Sequence, residues 1–516
     1  MDKNKITKMW IADQGDGTYT NPILYTDYSD PDAIRVGEDF FMIASSFCNT
    51  PAVPLLHSKD LVNWKVINYI IDKLPFPNYD DRPVHGCGTW APAIRFHEGV
   101  YYAFIPMPDE GIMMCKTNDP WGKWSEPSYV RNVVGWIDPC PFWDDDGKAY
   151  MVTAFARSRI GFKSMLYMSP IKPDCSGVLD DGQFIYDGHA TQPTIEGPKL
   201  YKRNGYYYIF APAGGVKPGW QVVLRSKNIY GPYEEKIVLH QGNSPVNGPH
   251  QGAWVDTPDG EDWFIHFQDV GNAGRIIHLQ PMRWENDWPV IGVNDVNGCG
   301  EPVLRHKKPD VGRVYPIDAP EDSDFFERDK LGLQWQWNAN YREEWYKAGN
   351  GQLTLFSQPA DEKSQLCDIC NLLLQKWPAP EFTITASLHV EDLIEGDVAG
   401  MVSLGGCYTA AAVQKLGDKL LLQQRMGNWE KDDEVRENLG EIQGNAIYLR
   451  MTVKGEKDIS FEIGYDEEHF TPCGKMAEAA PGRWVGVKAG LFAINERGNK
   501  GGRLKADYFV FRPLES

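Results

Sequence analysis

A glycine turn followed at once by an aromatic strand recurs five times in the first half of this chain, and no other sequence feature limits its fold so strongly. The turns lie at Gly37, Gly99, Gly147, Gly205 and Gly260, at intervals of 62, 48, 58 and 55 residues. Runs such as EDFFMIASSF and YYYIFAPA follow them. This period is typical of a four-stranded propeller blade, whereas a β-sandwich has shorter and less regular spacing. The repeats therefore predict an all-β fold with a five-bladed β-propeller.

A chemically distinctive residue precedes each turn by seven to ten positions: Asp30, Trp90, Asp138, Glu196 and His250. Equivalent positions near the start of each blade's innermost strand converge around the central channel. Each acid alone could begin a turn, as Asp-Pro and Glu-Gly-Pro often do. Three acids at equivalent repeat positions favour a functional centre instead, because carboxylates buried together repel each other and lose solvation.

Composition narrows the classes of partner. Lys+Arg number 52 against 71 Asp+Glu, a net charge of −19, and no basic patch stands out, so we expect no nucleic-acid partner. The 18 Trp suit ring stacking on sugars, and they equally suit large aromatic cores. No run approaches the roughly 18 to 20 apolar residues that span a bilayer, so we expect no membrane partner. The sequence leaves open whether the protein forms a homo-oligomer.

The cysteines and the N-terminus bear on cellular location. The ten Cys are scattered without the spacing of a disulfide scaffold, which suits free thiols in a reducing compartment. Cys367 and Cys370 form a lone CxxC, with no second pair to make a metal or redox site. The first residues, MDKNKITKMWIADQGDG, contain no apolar stretch of signal-peptide length. These features predict a cytoplasmic protein, although a chain whose export signal was removed looks the same.

Six segments in order along the chain resemble the family 43 glycoside hydrolases, the five-bladed propeller β-xylosidases and α-L-arabinofuranosidases. They are NPILYTDYSDPDAIRVGEDFFMIASSF, LLHSKDLVNW, GTWAPAIRFHEGVYY, WIDPCPFWDDDGKAY, TIEGPKLYKRNGYYY and GRIIHLQPMRW, between Asn21 and Trp284. The resemblance implies that Asp30 is the general base and Glu196 the general acid. Asp138 would orient the acid and tune its pKa. The Arg-Asp-Pro motif of related propeller sucrases and fructosidases is absent, and the one Asn-Asp-Pro, at residues 118–120, lies outside the six segments and the aligned acids.

Further site residues follow from the chemistry and from the resemblance. Phe47, Trp90 and Phe142 are candidate ring stackers for the sugar, with core packing as the alternative, above all for Phe142. The resemblance implies that Arg275 reaches the substrate's hydroxyls. It also implies that His250 meets a water or a calcium ion in the channel. No cofactor is expected for the chemistry itself.

Beyond a Lys-, Pro- and Asp-rich stretch the chain changes character near Ser323. DFFERDKLGLQWQWNAN, GQLTLFSQ, FTITASLHV and ADYFVFRP resemble the concanavalin-like, jelly-roll β-sandwich appended to many family 43 β-xylosidases. In those relatives a loop of this domain closes the propeller mouth. Asp324 and Asp507 match positions that often hold a structural calcium ion, with surface turns as the alternative. We predict a propeller over residues 1–305, a linker over 306–322 and a sandwich over 323–516.

Hydrolysis of a glycosidic bond needs one protonated and one ionised carboxyl group, and a third carboxylate near the acid raises the acid's pKa. The family inverts configuration, which requires the base and the acid to stand roughly 6.5 to 9.5 Å apart. We predict an exo-acting glycosidase that releases β-D-xylose, α-L-arabinofuranose or both from xylo-oligosaccharides or related hemicellulose fragments. The alternatives are an endo- or exo-acting arabinanase and, from another class, a non-catalytic carbohydrate-binding propeller.

Overall fold

The computed structural model describes residues 8–514, apart from the side chains of residues 432 and 433. Its regular structure is nearly all β-strand, and the described part of the chain contains a single α-helix, α1 (Arg157–Ile160). No helix within residues 8–514 is long and apolar enough to cross a membrane. The expectation about an export signal rests on the N-terminal segment, and the first seven residues of that segment lie outside the described residues.

Five antiparallel sheets follow one another along the first part of the chain, after a short strand β1 (Thr18–Thr20). Blade 1 contains β2 (Asp32–Val36), β3 (Asp39–Ile43), β4 (Ala52–Ser58) and β5 (Trp64–Ile71). Blade 2 contains β6 (Ala93–His97), β7 (Val100–Met107), β8 (Gly111–Thr117) and β9 (Ser128–Arg131). Blade 3 contains β10 (Trp136–Trp143), β11 (Ala149–Phe155), β12 (Met165–Ile171) and β13 (Gln183–Asp187).

Blade 4 contains β14 (Lys199–Arg203), β15 (Tyr206–Ala213), β16 (Trp220–Ser226) and β17 (Glu234–Leu239). Blade 5 contains β18 (His250–Asp256), β19 (Asp262–Asp269), β20 (Arg275–Glu285) and β21 (Trp288–Ile291). Three short strands follow: β22 (Val293–Val296), β23 (Cys299–Glu301) and β24 (Arg305–Lys307). Of these, β22 and β23 extend the sheet of blade 4.

The five sheets form a closed propeller. The innermost strands β2, β6, β10 and β14 contact one another in sequence, while β18 contacts β2 on one side and β15 on the other. The start of the chain closes the ring, because β1 pairs with β24 and Leu24 pairs with Ile277 of the last blade. The predicted five-bladed propeller is confirmed.

The remaining strands build a β-sandwich of two sheets. They are β25 (Gln336–Trp337), β26 (Tyr346–Gly349), β27 (Gln352–Phe356), β28 (Gln358–Pro359), β29 (Leu373–Lys376), β30 (Phe382–His389), β31 (Asp397–Leu404), β32 (Cys407–Leu416), β33 (Lys419–Asn428), β34 (Lys431–Glu441), β35 (Ala446–Lys454), β36 (Asp458–Gly464), β37 (Phe470–Glu478), β38 (Lys488–Asn495) and β39 (Arg503–Arg512). One sheet has the order β25-β29-β38-β31-β32-β33-β34, with β28 beside β38. The other has the order β26-β27-β39-β30-β35-β36-β37. One large hydrophobic core lies between them, and the predicted sandwich is confirmed.

The two parts share an extensive interface. Thr50 of blade 1 pairs with Trp337 of the sandwich through backbone hydrogen bonds in both directions. The segment predicted as a linker packs along the propeller, where the Lys308 ammonium lies between Asp13 and Asp60. The propeller mouth is therefore placed directly against the sandwich.

Candidate active site

Asp30 stands at the entrance to β2 with a left-handed backbone, φ 56°. Its Oδ2 accepts hydrogen bonds from the hydroxyls of Ser29 and Ser45, both at 2.7 Å. Its Oδ1 accepts one from Nη1 of Arg275 at 2.8 Å. Hydrogen bonds donated to a carboxylate stabilise its ionised form, which is the form that a general base requires. A strained backbone at a buried carboxylate whose two oxygens both accept hydrogen bonds from the protein is typical of functional sites.

Asp138 stands where β10 loses its regular register against β11, between Ile137 and Cys140, and its φ is 55°. Such a bulge re-aims a side chain, here into the channel. Oδ2 accepts the backbone N–H of Gly197 at 2.7 Å. Burial, together with the charge of Glu196, raises the pKa of the Asp138 carboxyl to about 8, against the opposing charge of Lys199. The Asp138 carboxyl therefore keeps its proton at neutral pH.

Glu196 lies at the turn before β14, and its Oε1 is 2.8 Å from Nε2 of His250. Its side chain keeps 23% of its exposure, whereas that of His250 has none. A shift in strand register at Gln251, φ 34°, accompanies the placement of the histidine. Of the neighbouring carboxyl groups of Asp138 and Glu196, that of Glu196 is thus the one that solvent or a substrate reaches.

Aromatic rings from both domains meet beside these carboxylates. The ring centroids of Phe47 and Trp90 are 6.3 Å apart, and Nε1 of Trp90 donates to Gly86. Trp484, from the loop between β37 and β38 of the sandwich, lies 4.8 Å from Trp90 and 6.3 Å from Phe47. The guanidinium of Arg159 covers the Trp90 ring at 4.9 Å. These rings form a wall to which the propeller and the sandwich both contribute.

Phe142 is the one candidate ring stacker that lies elsewhere. It follows Asp138 by four residues along β10, which places it roughly 13 Å further along the strand. Its ring packs on Tyr207 at 6.1 Å, and it lines a cleft of about 350 Å³ together with Phe96 and Trp254. The carboxyl ends of the innermost strands line that cleft, whereas the three acids of the site lie at or near the amino ends of those strands. The cleft therefore opens at the end of the channel opposite to the carboxylates. Its expected place beside the sugar is corrected accordingly.

The three residues considered for metal binding do not form a ready calcium site. Asp324 accepts the N–H of Phe326 and Nε1 of Trp335, at 2.8 and 2.9 Å. Asp507 lies 2.7 Å from Nε2 of His389 and also accepts hydrogen bonds from Gln352 and Ser387. His250 uses Nε2 on Glu196, and its buried Nδ1 has no hydrogen-bond partner. Among residues 8–514 no three His, Cys, Asp or Glu side chains are arranged to hold a metal.

Several residues of the site were not anticipated from the sequence. Ser29 and Ser45 have no distinctive sequence signal, and nothing in the pattern around Trp484 relates it to the propeller. Lys199 does have a signal, because it follows the Glu-Gly-Pro motif directly. It is fully buried, and its ammonium has no hydrogen-bond partner. It therefore acts on the Asp138 carboxyl through its charge.

Comparison with known proteins agrees with this geometry. The family model described as glycosyl hydrolases family 43 matches residues 19–289, and the β-xylosidase C-terminal concanavalin A-like domain matches residues 323–512. The chain belongs to glycosyl hydrolase family 43. A protein of Xylanibacter ruminicola is 40% identical over 94% of this chain and 88% of its own length. A β-xylosidase of Formosa agariphila is 32% identical over 98% of this chain and 92% of its own.

Other members of family 43 match over nearly the full length. A non-reducing-end α-L-arabinofuranosidase of Bacteroides ovatus is 27% identical over 98% of this chain and 97% of its own. The crystal structure of a family 43 protein of Bacillus licheniformis superposes with a TM-score of 0.82, at 26% identity, over 96% of this chain and 100% of that one. This family 43 protein is a glycoside hydrolase, and its chemistry requires no cofactor.

Proposed function

We propose that this glycoside hydrolase removes single pentose units, β-D-xylose, α-L-arabinofuranose or both, from the non-reducing ends of xylo-oligosaccharides and related hemicellulose fragments, with inversion of configuration. The observation that carries the chemistry is the group of three carboxyl groups from blades 1, 3 and 4, of which Asp30 and Asp138 are buried and Glu196 stays accessible. The relatives named as β-xylosidase and α-L-arabinofuranosidase support the choice of sugar.

The roles follow from the environment of each carboxyl group. Asp30, surrounded by three donors, is the general base that takes a proton from the attacking water. Glu196, more accessible than its neighbour Asp138, is the general acid that protonates the leaving oxygen. Asp138, whose own pKa is raised by burial and by the charge of Glu196, is the third carboxyl group, and it orients the acid.

The exo mode of action follows from the aromatic wall. Trp484 places the sandwich against Phe47 and Trp90, so that one side of the pocket is closed by the second domain. A closed pocket accepts a chain end, whereas an endo-acting enzyme needs an open groove. Arg275 holds Asp30 and is the candidate donor to the hydroxyls of the bound sugar.

Parallel assays with 4-nitrophenyl β-D-xylopyranoside and 4-nitrophenyl α-L-arabinofuranoside test the sugar, and xylobiose and arabinan test the mode of action. We expect turnover of at least one nitrophenyl pentoside and release of monosaccharide from oligosaccharides. Release of internal fragments from arabinan would support the arabinanase alternative. Binding of xylo-oligosaccharides without any hydrolysis would support the carbohydrate-binding alternative.

Three further properties belong to the proposal. All ten cysteines are free, which supports a reducing compartment and hence the cytoplasm. The proposal leaves open whether the protein forms a homo-oligomer, and light scattering in solution measures this directly. A structural calcium ion remains a prediction, and its test is whether a chelator lowers the melting midpoint of the protein and added Ca²⁺ restores it.

A further inference from the structure

Asp27 is a buried carboxylate that the proposed mechanism does not use. It stands three residues before Asp30 and is only 3% exposed. Its Oδ1 accepts the backbone N–H of Arg275 at 2.9 Å, and its Oδ2 accepts the backbone N–H of Gly486 at 2.8 Å. Arg275 opens β20 of the propeller, and Gly486 lies in the sandwich loop before β38. One carboxylate group therefore joins the two domains at the mouth of the site.

Each of these backbone groups leads to a part of the active site. The guanidinium of Arg275 donates through Nη1 to Asp30 Oδ1 and to the Ser29 hydroxyl, both at 2.8 Å. Gly486 follows Trp484 by two residues, and Trp484 forms the sandwich side of the aromatic wall. Asp27 thus stands between the group that holds the general base and the loop that closes the pocket.

The packing around Asp27 leaves little freedom. A Cβ added to Gly274 would lie 2.5 Å from Cγ of Asp27, and one added to Gly486 would lie 2.8 Å from the backbone of Ala273. The two loops therefore meet backbone to backbone. The N–H of Val487 donates to the carbonyl of Asn272 at 2.8 Å and extends this contact by one residue.

Two lysines face Asp27 from the sandwich, Lys488 buried and Lys376 partly buried. Lys376 of β29 and Lys488 of β38 are direct partners in the antiparallel ladder, a position in which like charges destabilise a sheet. Nζ of Lys376 donates to the Asp27 carbonyl at 2.6 Å. Burial lowers the pKa of both lysines, to about 8 for Lys376, and the charge of Asp27 opposes that shift for both. Asp27 is therefore the anion that stabilises the Lys376 and Lys488 cations at the domain interface.

Another set of hydrogen bonds in the same interface joins the two domains without reaching the active site. Asn340 of the sandwich accepts the N–H of Leu74 and donates to the Leu74 carbonyl and to Asp80. It has several interdomain hydrogen bonds and no contact with the site residues. Asn340 serves domain docking alone and provides a matched control.

We propose that Asp27 is a positioning residue, which orients Arg275 against Asp30 and seats the Trp484 loop at the same time. The proposal rests on the proposed role of Asp30 as the base. Docking of the sandwich and alignment of the general base are then coupled, because both depend on the Asp27 carboxylate.

The test compares Asp27→Asn with Asn340→Ala in the full-length protein. The amide keeps the size of the side chain but cannot accept both N–H groups. For Asp27→Asn we expect kcat to fall by about 10- to 100-fold, because small misplacements of reacting groups cost this much. We expect the acidic limb of the pH–rate profile to move to higher pH, since a displaced cation favours the ionised carboxylate less. We expect KM to rise as Trp484 shifts. Asn340→Ala should lower the melting midpoint and leave all three kinetic readouts as in the wild type.

Asp27→Asn that lowers only the melting midpoint, with wild-type kcat and pH profile, would overturn the proposal. If the single variant does not fold, the charge-matched double variant Asp27→Asn with Lys488→Met removes one cation together with the anion. The same loss of kcat in the folded double variant supports the proposal, and a wild-type kcat refutes it. Asp30→Asn is measured in parallel. Full activity of that variant contradicts the proposed base, a result distinct from any outcome at Asp27.

Discussion

Nε2 of the buried His250 lies 2.8 Å from Oε1 of Glu196, although the two residues come from different blades. The contact occupies one carboxyl oxygen and leaves the other, partly exposed, free to face a leaving group. It also fixes the plane of the carboxyl group, because the histidine has no exposed surface in which to move. The general acid is thereby aimed before a substrate arrives.

Replacing Glu196 by Gln removes the transferable proton and keeps the shape of the side chain. We expect kcat/KM on xylobiose to fall by about 10²- to 10⁴-fold, the usual value of a general acid. The loss on a nitrophenyl pentoside should be much smaller, because that leaving group needs little protonation. Glu285→Gln, at a half-exposed surface carboxylate paired with Arg283, is the control and should be unaffected. Equal losses on both substrates would contradict the acid role.

Arg275→Lys tests the two hydrogen bonds that Nη1 of Arg275 donates to Asp30 and to Ser29. Lysine keeps the charge but cannot reproduce the planar donor geometry of the guanidinium. We expect kcat to fall by about 10- to 100-fold, through misplacement of Asp30. Arg283→Lys, further along the same strand and exposed, serves as the matched control. Comparable kinetics of the two variants would show that Arg275 has no special role.

Trp484→Ala opens the sandwich side of the aromatic wall. We expect KM for short oligosaccharides to rise by about tenfold, because loss of one stacked ring in a pocket is worth roughly 1 to 2 kcal/mol. Trp484→Phe should restore most of the affinity. Tyr465→Ala, at an exposed turn of the same domain, should leave KM unchanged. The idea fails if KM of Trp484→Ala equals that of the wild type.

The Asp138 carboxyl should make stability depend on pH. Its pKa rises from 3.8 to about 8 on folding, so that between these values the folded chain binds a proton that the unfolded chain has released. This contribution to the free energy of unfolding is complete below 3.8 and is lost as the pH rises towards 8. We expect Asp138→Asn to melt about 2 °C or more above the wild type at pH 7.5, with the difference shrinking towards pH 5.

The control for that measurement is Asp145→Asn, since Asp145 is an exposed carboxylate in the same blade. Its melting midpoint should follow that of the wild type at every pH. A constant offset between Asp138→Asn and the wild type from pH 5 to 7.5 would mean that the Asp138 carboxyl does not carry the raised pKa.

The stereochemistry of the product tests the whole arrangement. Proton NMR during the first minutes of hydrolysis should show the sugar with inverted anomeric configuration, before mutarotation mixes the two forms. This follows if Asp30 activates a water instead of attacking the sugar. Early appearance of the retained anomer would assign a nucleophile to the site and exclude the proposed mechanism.

The repeated glycine turns were sufficient to predict the five blades and to align Asp30, Asp138 and Glu196 at equivalent positions. Period and alternation are local properties, since each blade is a compact meander whose strands pair with their neighbours in sequence. The family motifs supplied the roles. Phe142 was misplaced because an offset of four residues along a strand carries its ring roughly 13 Å from Asp138, towards the other end of the channel.

The sequence by itself determined the propeller and the converging carboxylates, because both depend on a pattern that repeats within tens of residues, and the sandwich was predicted from the resemblance of its segments to the family's appended domain. Only the tertiary structure decided that Trp484 completes the wall, that Lys199 faces the Asp138 pair and that Asp27 joins the two domains. The Asp27–Gly486 hydrogen bond spans 459 positions of the chain. Such a contact has no local signal, because it arises from the way two separately patterned domains pack against each other and not from either pattern.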